Sequence, residues 1–114
     1  MHELSISQSI IRVIEKSLPV GFSKKIIEIN LAIGKLSGIE IESLVYAFSI
    51  LRDNSVLKEA EILVKEIKGL AQCNECKFKF EINKFGIPCP LCESYSIKIL
   101  NGKEMNIVSV KTED

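Results

Sequence analysis

The spacing of apolar positions predicts two helices and two strands in the first part of the chain. Apolar residues recur at helical spacing over residues 3–18 and again over 40–52. Residues 25–34 alternate between apolar and polar positions, as expected for a strand with one buried face, and residues 60–68 form a second strand with less regular alternation. The predicted order is therefore helix, strand, helix, strand.

The two predicted strands are expected to be parallel neighbours in one sheet, because a strand–helix–strand unit joins them by a right-handed crossover. Two strands alone make a poor sheet, and residues 103–111 provide a third strand after the Asn101-Gly102 turn. The alternation places four apolar residues of the first strand on one face: Ile27, Ile29, Leu31 and Ile33. The third strand offers two alternative inward faces, Met105 with Ile107 and Ser109, or Asn106 with Val108 and Val110.

Four cysteines form the strongest chemical signal in the chain. They occur as two C-x2-C pairs separated by twelve residues: Cys73 with Cys76, and Cys89 with Cys92. The first residues contain neither the basic nor the long apolar block of a secretory signal, so the thiols are expected to stay reduced. Four thiolates in two close pairs match tetrahedral zinc, and four sulfurs leave no open position for catalysis. We therefore predict a structural zinc site, with a redox dithiol or disulfides as the alternative.

The predicted fold class is α+β: a small mixed three-stranded sheet with two helices, plus a zinc-ribbon-like domain inserted before the last strand. Residues 1–68 and 103–114 are assigned to the first domain, and residues 69–102 to the inserted domain. The inserted segment has few apolar residues for a core of its own, so the metal is expected to supply folding energy there. The joining segments 69–72 and 93–104 are where we expect the two domains to influence each other.

The composition argues against nucleic acid and membrane surfaces as partners. Lys+Arg and Asp+Glu both number 15, so the chain has no net positive charge for nucleic acid or an anionic membrane surface. The absence of Trp and an aromatic content of 6% also argue against base stacking. No apolar run approaches the roughly 18 residues that a membrane helix needs. We expect no nucleic acid partner, no membrane association and a cytoplasmic location.

The N-terminus carries a second candidate metal site. His2 is the only histidine in the chain, and Met1 is expected to be retained because histidine is not a small second residue. The free Met1 amine, the His2 backbone amide and the His2 imidazole could then form one chelate with five- and six-membered rings. Nitrogen ligands in a plane suit nickel(II) or copper(II), and the amine and the imidazole both lose protons near neutral pH. On these residues alone, a solvated terminal histidine is the ordinary alternative.

The leading residues Met1-His2-Glu3-Leu4-Ser5, taken with the four-cysteine pattern, resemble the HypA/HybF family of nickel-insertion accessory proteins for hydrogenase maturation. The resemblance covers the whole chain and includes residues 33–37, 42–48 and 102–105. It implies that the first domain binds nickel and the inserted domain binds zinc. It also implies that Ni(II) is transferred to another protein whereas Zn(II) is kept.

The resemblance implies His2 as the main nickel ligand, with the Met1 amine beside it. Glu3 matches the family's third residue and is a candidate ligand or a group that supports the ligands. Glu40 matches an acidic position before the second helix, although the helix dipole also explains a carboxylate there. Some family members carry a histidine soon after the last zinc cysteine, whereas residues 93–96 contain none. Glu3, water or a second protein molecule would then complete the nickel shell.

The resemblance further implies a metallochaperone that is not an enzyme. Its expected partners are the nickel-delivery GTPase of the hydrogenase maturation pathway and a hydrogenase large-subunit precursor, with urease maturation proteins as further clients. A homodimer that exchanges the C-terminal strand is a further alternative. Two other functional classes stay in view: a zinc-ribbon adaptor that binds protein or nucleic acid, and a zinc hydrolase, for which the chain has no second histidine.

Overall fold

The computed structural model describes residues 3–22 and 25–113. The elements in these ranges are, in order, α1 (Glu3–Ser17), β1 (Ile26–Gly34), α2 (Ile41–Leu51), a 3-10 turn (Arg52–Asn54), β2 (Glu61–Ile67), β3 (Gly69–Cys73), β4 (Lys79–Ile82), β5 (Ile97–Asn101) and β6 (Met105–Thr112). The strands form two three-stranded sheets, ordered β2-β1-β6 and β4-β3-β5. Across the described ranges, none of the helices is long and apolar enough to cross a bilayer.

The first sheet is mixed, as the sequence predicts. β1 lies parallel to β2, with Glu28 opposite Glu61, and antiparallel to β6, with Ile29 opposite Val110. The helices and this sheet share one core, because the apolar stripe of each helix needs a partner surface. The buried apolar residues of that core are Ile10, Ile11, Ile14, Ile26, Ile29, Leu31, Ile33, Leu44, Phe48, Leu57 and Ala60.

An irregularity in β1 changes which of its first side chains is buried. The pairing register with β6 shifts between Ile26 and Glu28, which makes Ile27 an extra residue on β1. Such a bulge interrupts the strict alternation of side chains between the two faces. Ile26 is accordingly 1% exposed and Ile27 40% exposed. The prediction of an inward Ile27 is therefore wrong, whereas the other three predicted positions of this strand are buried.

A second irregularity decides between the two predicted faces of the C-terminal strand. The register with β1 shifts between Ile107 and Ser109, which leaves Val108 as an extra residue on β6. Val108 is exposed, and Ile107 and Val110 both pack against the core of the first sheet. Each predicted face is thus partly right, because the bulge at Val108 turns Ile107 of one face and Val110 of the other towards the same core.

The second sheet is antiparallel around β3 and has a small apolar core. β3 pairs with β4 on one side and β5 on the other. The buried members of its core are Leu36, Ala71 and Ile82, and Phe80, Ile87, Ile97 and Ile99 pack around them partly buried. Leu36 comes from the turn after β1, so the chain of the first sheet supplies one of the three buried residues.

Backbone hydrogen bonds join the two sheets at the C-terminal end of β1. The Gly34 N–H donates to the Glu104 carbonyl O at 2.7 Å, and the Leu36 N–H donates to the Gly102 carbonyl O at 2.7 Å. These bonds tie the end of β1 to the β5–β6 connection, which leads from the second sheet back into the first. We call these four residues the junction.

Candidate metal centre

The first cysteine pair lies in a tight turn between β3 and β4. Cys73 is the last residue of β3; its N–H donates to the Phe78 carbonyl O at 2.9 Å, and its carbonyl O accepts from the Lys77 N–H at 3.0 Å. Lys77 has a φ of 66°, which lets the chain reverse directly after Cys76. The Cys76 N–H points at the Cys73 Sγ at 3.5 Å. The turn is therefore held by its own backbone.

The second cysteine pair lies in a turn of the same construction. The Cys89 N–H donates to the Ser94 carbonyl O at 2.8 Å, and the Glu93 N–H donates to the Cys89 carbonyl O at 2.9 Å. Glu93, like its counterpart in the first turn, directly follows the second cysteine and has a φ of 66°. The Leu91 N–H donates to the Cys89 Sγ at 3.4 Å. The two-residue spacer thus specifies one backbone geometry in two different sequences.

The four sulfur atoms lie close enough together to share one metal ion. All four Sγ atoms are within 4.8 Å of one another. The pairs across the two turns, Cys73 with Cys92 and Cys76 with Cys89, are 3.5 and 3.6 Å apart. In a tetrahedral site with Zn–S bonds of about 2.3 Å, two sulfurs lie about 3.8 Å apart, so these residues fit zinc. Cys73 and Cys89 are buried and the other two are exposed.

Backbone hydrogen bonds favour ionisation of the two buried cysteines. The Cys76 N–H facing the Cys73 sulfur lowers the pKa of Cys73 to about 6. Desolvation opposes ionisation of Cys89, but backbone N–H groups of its own turn, together with the Cys76 and Cys92 thiols, outweigh it and lower its pKa. At Cys92 the Ser94 N–H favours the thiolate, yet the Cys73 sulfur, desolvation and the other sulfurs raise the pKa of Cys92 to about 12. Ionised sulfurs this close together repel one another, and a dication placed among them would offset that repulsion.

The predicted nickel ligands lie only partly within the described residues. Met1 and His2 lie outside them. Glu3, the first residue of α1, has 9% of its surface exposed, and its Oε2 accepts a hydrogen bond from the Glu40 N–H at 3.3 Å. The exposed Glu40 caps α2, because its Oε1 accepts from the Ser43 N–H at 3.3 Å. The fold thus brings Glu3 and Glu40 together, a contact that sequence reasoning missed because 37 positions separate them.

Two helices on a mixed sheet, joined to a zinc-ribbon-like sheet with four clustered cysteines, define a small α+β metal-binding protein. The family model described as "Hydrogenase/urease nickel incorporation, metallochaperone, hypA" matches residues 1–112. The chain belongs to this family, which confirms the resemblance predicted from its residues. A role in hydrogenase maturation implies contact with the maturation machinery.

The similarity to individual relatives also extends over the whole chain. The hydrogenase maturation factor HypA of Parabacteroides distasonis is 40% identical over 110 residues, which cover 96% of each chain. The same factor of Pelodictyon phaeoclathratiforme is 39% identical over 115 residues, covering 100% of this chain and 97% of the relative. The solution structure of the Ni metallochaperone HypA from Helicobacter pylori matches with a TM-score of 0.67 at 29% identity, covering 98% of this chain and 97% of that chain. The predicted fold class is thereby confirmed.

Proposed function

We propose that this protein binds Ni(II) through its first residues and passes it on during maturation of [NiFe]-hydrogenase, while Zn(II) stays bound to the four cysteines. The observation that carries the proposal is the family match from residue 1 to 112, since it includes the two leading residues that hold the chelating nitrogens. In this division of roles, residues 1–68 and 103–114 form the nickel domain and residues 69–102 the zinc domain.

The nickel ligands in this proposal are few and lie at one end of the chain. The Met1 amine and the His2 imidazole, with backbone nitrogen, supply the main set, as planar nitrogen ligation of nickel(II) requires. Glu3 and Glu40 remain predictions as carboxylates beside the ion. A site with few protein ligands releases its metal by stepwise ligand exchange, which suits a carrier better than a closed cage does.

The zinc site has the opposite requirement, because it must not give up its ion. Cys73, Cys76, Cys89 and Cys92 would hold zinc with four sulfurs, and such a closed shell contributes folding energy without offering a position for substrate. Zinc therefore serves the structure of the β3–β4–β5 sheet in this proposal, and we expect no catalysed reaction at it.

The partners follow from the direction of nickel transfer. A nickel-delivery GTPase and a hydrogenase large-subunit precursor are the proposed partners, in the cytoplasm, and urease maturation proteins are further clients. Exchange of β6 between two copies would give a homodimer, because an element that returns to the first sheet can pair with another chain's sheet equally well.

Replacing His2 with alanine is expected to weaken nickel binding by about 100-fold, because even the removal of groups that only support metal ligands costs 10–100-fold in affinity. A Gly-Ser extension before Met1 should do the same, since it removes the free amine from the chelate. Both effects are measured by calorimetric titration of the zinc-loaded protein with nickel.

The matched control for the extension is the same Gly-Ser dipeptide added after Asp114, which should leave nickel affinity unchanged. Zinc content should remain one ion per chain in every variant. If His2→Ala and the N-terminal extension both bind nickel as tightly as the unaltered chain, the proposed nickel site is wrong, and a zinc-ribbon adaptor becomes the better description.

A further inference from the structure

The Glu3 side chain is a buried carboxylate bound to a distant part of the backbone. Only 9% of the residue is exposed, and its Oε2 accepts from the Glu40 N–H at 3.3 Å. One turn further along α1, Ser7 is fully buried and its hydroxyl donates to the Leu4 carbonyl O at 2.9 Å. The first turn of α1 is therefore packed against the rest of the fold on the side that carries Glu3.

The amide that binds Glu3 belongs to the residue that begins the second helix. Glu40 is the N-cap of α2, and its carbonyl O accepts the first helical hydrogen bond, from the Leu44 N–H at 3.0 Å. Glu3 itself begins α1. Its carboxylate thus lies where the N-termini of two helices converge, and both helix dipoles favour a negative charge there. This arrangement explains the burial of Glu3 without a metal ion.

A carboxylate held in this way is poorly placed to coordinate the transferred ion. A ligand that must exchange during transfer needs access to the metal, whereas this group is buried and one of its two oxygens already accepts from the Glu40 N–H. Its backbone, by contrast, is the point to which His2 is covalently joined. Fixing Glu3 therefore fixes the point at which the chelating residues are joined to α1.

We infer that Glu3 is a positioning residue of the nickel site rather than a nickel ligand: its bond to the Glu40 amide anchors the start of α1, and Met1 and His2 form the chelate from that anchored end. The inference rests on the proposed function. The physical gain is preorganisation, because a fixed attachment point lowers the entropy cost of assembling the chelate.

Two substitutions of Glu3 distinguish a positioning residue from a nickel ligand, because each one preserves a different property of the side chain. Glu3→Gln keeps the side-chain length and an oxygen that accepts from the Glu40 N–H, but it replaces the carboxylate by a neutral amide, which is a poor ligand for nickel(II). Glu3→Asp keeps a carboxylate next to His2 but shortens the side chain by about 1.5 Å, so it no longer reaches the Glu40 N–H at hydrogen-bond distance.

The positioning role predicts that Glu3→Gln binds nickel within about twofold of the unaltered protein, because its amide oxygen keeps the bond to the Glu40 N–H. Glu3→Asp should bind nickel about tenfold more weakly, as expected for the loss of that hydrogen bond. The visible absorption band of the nickel complex should be unchanged in Glu3→Gln, because the ligand set is the same. Glu42→Gln is the matched control: it removes an exposed carboxylate from the first turn of α2 and should change neither quantity.

The experiment is a nickel titration of the zinc-loaded chain in these three variants and in His2→Ala, with zinc content and circular dichroism recorded for each. Nickel affinity that is retained in Glu3→Gln and lowered in Glu3→Asp supports the inference. Every other pattern of these two affinities overturns it. Unchanged binding in His2→Ala would instead refute the proposed nickel site itself, so the two failures are distinguishable.

Discussion

Replacing Cys73 with serine is expected to abolish zinc binding and to unfold the β3–β4–β5 sheet, while the first sheet keeps its structure. Among the described residues, the core of the second sheet has three buried apolar side chains, which are too few to hold three strands without a metal. Structural zinc contributes about 10–16 kcal/mol in small zinc-binding peptides, so the loss of one ligand removes the largest stabilising contribution in this region. The first sheet has eleven buried core residues of its own.

Hydrogen exchange resolves the two sheets in one measurement. Amides of β3 should exchange at least about 100-fold faster in Cys73→Ser, whereas amides of residues 29–33 in β1 should stay within about threefold. Glu75→Gln is the matched control, because Glu75 is exposed in the same turn and is not a predicted ligand; it should retain one zinc per chain. Unchanged protection of β3 in the zinc-free variant would show that this sheet does not depend on the metal.

The sulfur cluster was predictable because its geometry is local. Within each C-x2-C turn, backbone hydrogen bonds span at most six residues, as between Cys73 and Phe78, and the chain reverses at a single left-handed residue. The spacing of the cysteines therefore carries most of the information about how their sulfurs are presented. The order of helices and strands in the first sheet was predictable for a related reason, since hydrophobic periodicity reflects one buried face.

The facing of individual strand residues was less predictable, because bulges depend on the partner strand. Ile26 and Ile27 are chemically identical, and only the shifted pairing of β1 with β6 decides which of them is buried. Likewise, Ile107 and Val110 both reach the core because Val108 bulges between them. A periodic pattern assumes regular pairing and has no signal for where the register shifts.

Individual side-chain contacts between distant segments were not predictable, although the return of the C-terminal strand to the first sheet was. Leu36 follows the end of the predicted first strand, yet it is part of the core of the second sheet. Glu3 reads as a candidate metal ligand, yet its carboxylate accepts from the Glu40 N–H across the fold. Both contacts exist because separate elements are brought together, and hydrophobic periodicity does not indicate which individual residues of those elements meet.

Replacing Gly34 with alanine is expected to lower the free energy of unfolding by about 3 kcal/mol, because backbones meet without space at this position. A Cβ added there would overlap the Gly102 carbonyl O, the atom that accepts from the Leu36 N–H at 2.7 Å. The overlapping group is backbone and cannot swing aside, so the junction must open. Opening weakens two backbone hydrogen bonds, at about 1 kcal/mol each, and loosens Leu36 in the core of the second sheet.

Gly38→Ala is the matched control for this prediction, since it separates backbone strain from overlap. Gly38 has a φ of +80° with nothing within 4 Å of an added Cβ, whereas the φ of Gly34 is not in the left-handed region. Gly38→Ala should therefore cost only about 1 kcal/mol, from the strained backbone. Urea unfolding of the zinc-loaded proteins measures both values. Equal losses of unfolding free energy in the two variants would mean that the close contact between Gly34 and the Gly102 carbonyl O does not hold the junction together. The expected influence of one domain on the other would then have to pass through other contacts.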